Sequence, residues 1–146
     1  MKTQVILCDW AQAINGKLYI MGAGWSRVVS TIPFNLGVAI IIKIPWTATN
    51  QKHELQFSVL DGDGTLMSFQ GATGVAPIQI KGEFGAGRPM DIKPGSDIDA
   101  TLGFSIGPII LPPNDYVCEL QINGAIVETV PFTGSAAPQF PGVVPQ

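Results

Sequence analysis

The stretch "DIDATLGFSI", Asp97 to Ile106, decides the fold. Apolar side chains fall at every second position: Ile98, Ala100, Leu102, Phe104 and Ile106. Asp97, Asp99, Thr101, Gly103 and Ser105 fall between them. Successive side chains of an extended chain point to opposite sides, so this alternation reads as a strand with one face on a core and one toward water. The period recurs in "HELQFSVL", which turns Leu55, Phe57 and Val59 inward. "GVAIIIKI", Gly37 to Ile44, is apolar on both sides except at Lys43 and reads as a central strand, with Val38, Ile40, Ile42 and Ile44 in the core. Further strands are expected over residues 3–8, 17–21, 65–70, 78–81, 116–122 and 126–132. No long window repeats with the period of a helix.

Turn chemistry separates these runs. Asn15-Gly16 and Asn123-Gly124 are hairpin signals, because both central positions of a type I′ turn need positive φ. Asp61-Gly62-Asp63-Gly64 is a third turn, and Pro45, Pro77, Pro94, Pro112 and Pro113 punctuate strand ends. About eight or nine short strands with turns at this spacing predict a single all-β domain, an antiparallel β-sandwich of immunoglobulin-like or jelly-roll-like type. In "LPPNDYVCEL", Tyr116 stands two residues before Cys118 and after Pro112-Pro113, the pattern of a tyrosine corner. The separation of Cys8 from Cys118 speaks against the usual inter-sheet cysteine pair. The two cysteines read as buried thiols, with a bridge left open should their strands lie close. After Phe132 the chain becomes "TGSAAPQFPGVVPQ", without charge and with three prolines. It reads as an extended arm, giving a sandwich over residues 1–133 and a Pro-rich arm over 134–146.

Composition narrows the function. Of the 146 residues, 46% are hydrophobic and only 13% charged, where roughly 25% is usual. A surface so short of charge suits either burial against partners or a large two-sided core. The eight Lys and Arg are scattered under a net charge of -3, so no basic stripe exists for nucleic acid. No apolar run approaches the ~18 residues of a membrane helix, and no targeting signal is read at the N-terminus.

Several chemical motifs fail on their spacing. Gly22-Ala23-Gly24 resembles a phosphate loop, but Arg27 takes the third glycine position, and "VVSTIPF" starts no helix. Glycines in such a run mark a bend or bulge. "LDGDGT" resembles a calcium loop, but Val59 and Gln70 occupy ligand positions that need carboxylates. The single histidine, His53, excludes a two-histidine metal site, lacks a nucleophile elbow and is expected in solvent. Asp97 and Asp99 fall on an outer face, where carboxylates are solvated. No catalytic residue, metal or cofactor is expected. Trp46 is expected in the core, while Trp10 and Trp25, near strand ends, are expected as core lids or partner anchors.

These residues also resemble an uncharacterised family of short all-β proteins from actinobacteria, other bacteria and their phages. The likeness rests on Ala11-Gln12, Gly16-Lys17-Leu18-Tyr19 and Gly22-Ala23-Gly24-Trp25, then on Pro45-Trp46 with Asn50, "LDGDGTL" and "LPPNDY…INGAIVETVPF". It covers about residues 3–132. The resemblance implies an all-β domain with no established activity and no catalytic residues to carry over.

The expected role is a non-enzymatic accessory protein of a phage particle, a capsid decoration or minor capsid protein. It would contact a capsid protein, or itself, through Trp10, Trp25, Pro138, Phe140, Pro141 and Pro145. The alternative is a bacterial cytoplasmic module that binds a carbohydrate or peptide.

Overall fold

The structure, a computed structural model, describes residues 1–138. Twelve strands run in chain order: β1 (Lys2–Cys8), β2 (Trp10–Ile14), β3 (Lys17–Met21), β4 (Arg27–Val29), β5 (Phe34–Ile44), β6 (His53–Asp61), β7 (Ser68–Gly71), β8 (Gly74–Pro77), β9 (Gln79–Phe84), β10 (Ile98–Ile109), β11 (Asn114–Ile122) and β12 (Ala125–Ser135). The one helical element among the described residues is a 3-10 turn, Trp46–Ala48.

Two sheets face each other. One has three strands in the order β1-β5-β10, and the other has five in the order β4-β12-β11-β6-β9. Every pairing is antiparallel except that of β4 with β12. If β1, β5, β6, β10, β11 and β12 are taken as strands A, B, C, E, F and G, the two sheets are A-B-E and G-F-C, the immunoglobulin-like arrangement. The expected sandwich is therefore present, with more strands than the sequence pattern delimits. β2, β4 and β8 are the additions.

The core is built by the alternating residues. Val38, Ile40, Ile42 and Ile44 of β5 face Leu55, Phe57 and Val59 of β6 and Cys118, Leu120 and Ile122 of β11 in one buried cluster. Burying each such side chain contributes about 1.5–3 kcal/mol. The tyrosine corner forms: the buried Tyr116 hydroxyl donates to the Pro112 carbonyl, and its ring stacks on Phe132 at 5.3 Å. Both Asn-Gly pairs adopt positive φ, at 51° and 76° for Asn15-Gly16 and 52° and 82° for Asn123-Gly124. Asp61 caps its own turn, its carboxylate accepting the backbone N–H groups of Asp63 and Thr65 at 2.9 Å each. β12 runs to Ser135, two residues beyond the expected end of the sandwich, because Gly134 and Ser135 pair with Val28 and Val29.

The departure from a plain sandwich is the hairpin β2–β3, inserted between β1 and β4. It roofs the outer face of the three-stranded sheet, which alternation alone assigns to water. Cys8, Ala11 and Ala39 form a second small core there, with Ile6, Leu18 and Ile20 packed against it. The sheet residues beneath are small: Gly37 and Ala39 on β5 pair with Ser105 and Gly103 on β10. A Cβ at Gly103 would meet the Gln12 backbone at 3.0 Å, and one at Gly37 would meet the Trp10 nitrogen at 2.8 Å. Only glycine permits so close an approach of two backbones. Gly22 and Gly24, at φ 63° and 89°, then bend the chain out of the hairpin, and the Gly24 N–H bonds the Leu7 carbonyl at 3.0 Å.

Candidate partner-binding surfaces

The hairpin buries one face and presents the other. Its register sets Trp10 opposite Met21, Gln12 opposite Tyr19, and Ile14 opposite Lys17. Ala11 is buried and Ala13 partly so; their neighbours along β2 point outward. Trp10 is 40% exposed, Ile14 43%, Tyr19 49% and Met21 66%. A large aromatic beside a methionine, with a tyrosine one pair along, has the composition of an interface centre rather than of ordinary surface. Lys17 is the one charged side chain on this ribbon face.

Trp25 takes the other fate open to it. It is half-buried as a lid on the main core, its ring edge-on to Phe132 at 5.9 Å. Its Nε1 and the Ser30 hydroxyl are buried without a hydrogen-bond partner among the described residues. Pro138 is exposed at the end of the described chain. Phe140, Pro141 and Pro145 lie outside the described residues.

Two expectations are corrected. Trp46 is not in the core. It is half-exposed on the 3-10 turn, beneath the Arg88 guanidinium at 4.1 Å from the ring centroid. Arg88 is held there by bonds from Nε to Thr49 Oγ1 and from its terminal nitrogen to the Trp46 carbonyl, at 2.6 and 2.8 Å. His53 is not in solvent but 4% exposed, stacked on Phe84 at 5.3 Å. Asn123 accepts the Glu54 N–H through Oδ1, which turns its Nδ2 donor onto His53 Nδ1 at 3.0 Å. His53 Nε2 then donates to the Ala48 carbonyl at 2.8 Å. Both ring nitrogens are thus committed to structural bonds that tie the β11–β12 turn to the start of β6.

The remaining reactive groups are quiet. Both cysteines are free and buried, on different sides of the three-stranded sheet. Burial pushes the Cys118 thiol up to about 12. Cys8 is also raised, by burial first and by the Asp9 charge. Asp99 sits exposed in a pair with Lys43 at 2.9 Å, its cross-strand neighbour. Among the described residues no three His, Cys, Asp or Glu gather as a metal site.

Two of the surface concavities differ in character. A depression of about 440 Å³ on the outer face of the five-stranded sheet is lined by Glu54, Gln56, Lys81, Glu83 and Gln121 beside Leu55 and two glycines, with no aromatic ring. A groove of about 380 Å³ lies between the β7–β8 hairpin and the end of β10, lined by Pro33, Phe69, Val75, Pro108 and Ile110 with Ser68 and Gln70. Sequence reasoning missed the hairpin's role. The signal was there in the small residues Gly37, Ala39, Gly103 and Ser105, which mark a sheet face that another backbone approaches.

The architecture defines a β-sandwich domain of immunoglobulin-like strand order, roofed by an inserted hairpin with an apolar outer face. The chain belongs to a family of unknown function, DUF6941, whose model matches residues 4–135. No curated protein matches the sequence significantly. Among solved structures the chain has a limited likeness to Pseudomonas fluorescens alkylpurine DNA glycosylase AlkC bound to DNA containing an abasic site analog, at 14% identity and a TM-score of 0.40. That likeness covers 76% of this chain and 28% of the glycosylase chain.

Proposed function

We propose that this domain is a non-enzymatic docking module that binds a repeated protein surface, as an accessory protein of a phage particle. The observation that carries the reading is the outward face of β2–β3, where Trp10, Tyr19, Met21 and Ile14 are held on a two-stranded ribbon pinned to the sandwich. A rigid scaffold that presents aromatic anchors loses little entropy on binding. The low content of charge leaves little desolvation penalty at such a contact. Repetition of a symmetric surface compensates for modest single contacts through avidity.

The non-enzymatic reading is supported by where the reactive groups sit. His53 has both ring nitrogens engaged in the scaffold, and the Cys118 thiol is held protonated by burial. A capsid or other virion protein is favoured over a carbohydrate as partner. The polar depression on the five-stranded sheet offers hydrogen bonds but no ring on which a sugar could stack.

The test is mass spectrometry of purified particles from a host that carries the gene, with the wild-type chain and with Trp10→Ser/Met21→Ser. The wild type should copurify with particles and the double variant should not. Absence of the wild-type chain from particles sinks the virion setting. Equal retention of the double variant sinks the hairpin as the docking face. Saturable binding to a glycan panel, lost on Trp10→Ser, would establish the cytoplasmic ligand-binding alternative instead.

A further inference from the structure

We propose that β10 takes an extended segment of a partner protein along its free edge, as an added strand in the place where the immunoglobulin plan sets strand D. This seat is separate from the outer face of the β2–β3 hairpin, and the inference does not depend on that face as a docking surface.

The first ground is a vacancy. In the immunoglobulin plan strand D lies beside E, at the end of the A-B-E sheet. Here β10 stands as E, and β5 is its one strand partner among the described residues. The chain between C and E leaves the place open. β9 joins the other sheet beside β6, and residues 85–97, which follow it, form no strand. Outside the β5 ladder, no backbone–backbone bond among the described residues involves 99–105. The free edge of β10 thus shows a row of N–H and C=O groups, and an extended backbone is what pairs with such a row.

The second ground is how this edge differs from the other three. Edge strands are kept from pairing by shortness, by charge or by cover. β4 has three residues, and β9 has six, with Lys81 and Glu83 exposed along it. β1 is tied to its surroundings by bonds from Thr3 Oγ1 to Glu128 and from the Gly24 N–H to the Leu7 carbonyl, both at 3.0 Å. β10 runs for twelve residues, with Asp99 its one charge and no proline before Pro108. It carries none of the features that protect the others.

The third ground is the space beside the edge, which also sets the chemistry of the segment. A cleft of about 440 Å³ lies between β10, the end of β9 and the tip of the β2–β3 hairpin, with Ala100, Leu102, Phe84 and Gly16 among its walls. Ala100, Leu102 and Phe104 pack on the main core yet stay partly exposed. An added strand would cover them with every second side chain, so the segment is apolar at alternate positions. The charged residues of the cleft are both carboxylates, Glu83 and Asp99. Each has one lysine neighbour in an exposed pair, Lys52 at 3.7 Å and Lys43 at 2.9 Å. A carboxylate accepts from several donors, so a basic residue on the segment fits beside them.

The test uses the full chain and a synthetic peptide, Lys-Val-Thr-Val-Thr-Val-Thr-Lys, read by amide hydrogen exchange. The peptide should slow exchange about ten-fold or more at alternate amides of residues 99–103 and leave those of Trp10 and Met21 unchanged. N–H groups two apart on a strand point the same way, so N-methylation of the valines and of the threonines blocks opposite edges of the peptide. One methylated form should lose binding and the other keep it. Ala100→Lys, which has room in the open cleft, should keep the unfolding midpoint of the wild type and lose the peptide. Absence of peptide binding overturns the proposal, and so does equal binding of the two methylated forms, which would mean side-chain docking without a ladder. Protection of the same amides in the dilute free chain would show the edge already covered within the chain. Protection that grows with protein concentration alone would show a second copy on the edge. Either result overturns the partner strand.

Discussion

The main core and the small core beneath the hairpin are held together in opposite ways. Between the sheets, Phe57, Ile40, Ile42, Leu120 and Tyr116 interdigitate, all essentially without exposure. Beneath the hairpin the buried residues are Cys8, Ala11 and Ala39, and Gly37 and Gly103 let the backbones touch. Large side chains remove much apolar area from water, and small ones remove little. The hairpin is therefore attached by close approach and by its connections rather than by a deep core. Its own bulky residues, Trp10, Tyr19 and Met21, point away from the sandwich. The same ribbon is thus held by close backbone contact, with Leu18 and Ile20 beneath it, and is apolar outside, which suits the proposed docking role.

The contrast is broken most forcefully from the main core. Phe57 is fully buried, edge-on to Phe104 at 5.4 Å. Phe57→Ala should cost about 3–5 kcal/mol, a large part of the stability of an ordinary domain, read as a fall in the urea midpoint. A loss near zero would mean that the sheets do not pack as a single core.

The two thiols report on the two cores separately. Cys118 ionises near 9.0 in the unfolded chain and near 12 when folded, because its charged form is desolvated. A raised folded value means that the stabilisation is complete below pH 9 and is lost as pH rises from about 9 toward about 12. The full loss amounts to about 4 kcal/mol at the upper end of that window. Cys118→Ala should lower stability at neutral pH yet flatten this alkaline decline, measured by urea unfolding at stepped pH. An unchanged slope would shift the cause to Tyr116 and Cys8, both of which burial also raises.

Gly103→Val acts on the roof alone. The added carbons have no room beneath the Gln12 backbone, and relief comes by lifting the hairpin. The cost should be about 1–3 kcal/mol. Opening should be local, so that Cys8 reacts with a thiol reagent about ten-fold faster or more while Cys118 stays protected. Equal acceleration at both cysteines would show the hairpin and the sandwich unfolding as one unit.

How much of this was legible in the sequence follows the same division. Strands β5, β6, β10 and β11 declare themselves, because one-sided burial enforces a period of two and Asn-Gly fixes the hairpin turns. The tyrosine corner was legible too, in Tyr116 after Pro112-Pro113. β2 was not: "WAQAI" has small residues where a strand signal needs bulk, because its buried face meets glycine and alanine. β4, three residues long, exists only through β12 beside it. His53 was misplaced because its burial is licensed by Asn123, 70 residues away. Trp46 was misplaced because Arg88 covers it from another segment. In both cases a polar partner distant in sequence decided the outcome, and periodicity carries no information about such partners.

The smallest expected effect on stability is at the residues of the proposed docking face. Trp10 and Met21 face each other across the ribbon on its outer side, 40% and 66% exposed. Trp10→Ser/Met21→Ser should change unfolding stability by less than about 0.5 kcal/mol, as surface changes usually do. Apolar side chains held on the surface contribute little to the fold, and under the proposed docking role their contribution is realised on binding. The variant should remain as soluble as the wild type or become more so, and sedimentation should show any self-association of the wild type reduced. A loss of more than about 2 kcal/mol on this double exchange would place it in the range of core truncations. Trp10 would then be a structural clamp on the hairpin, and the ribbon's outer face would lose its standing as a docking surface.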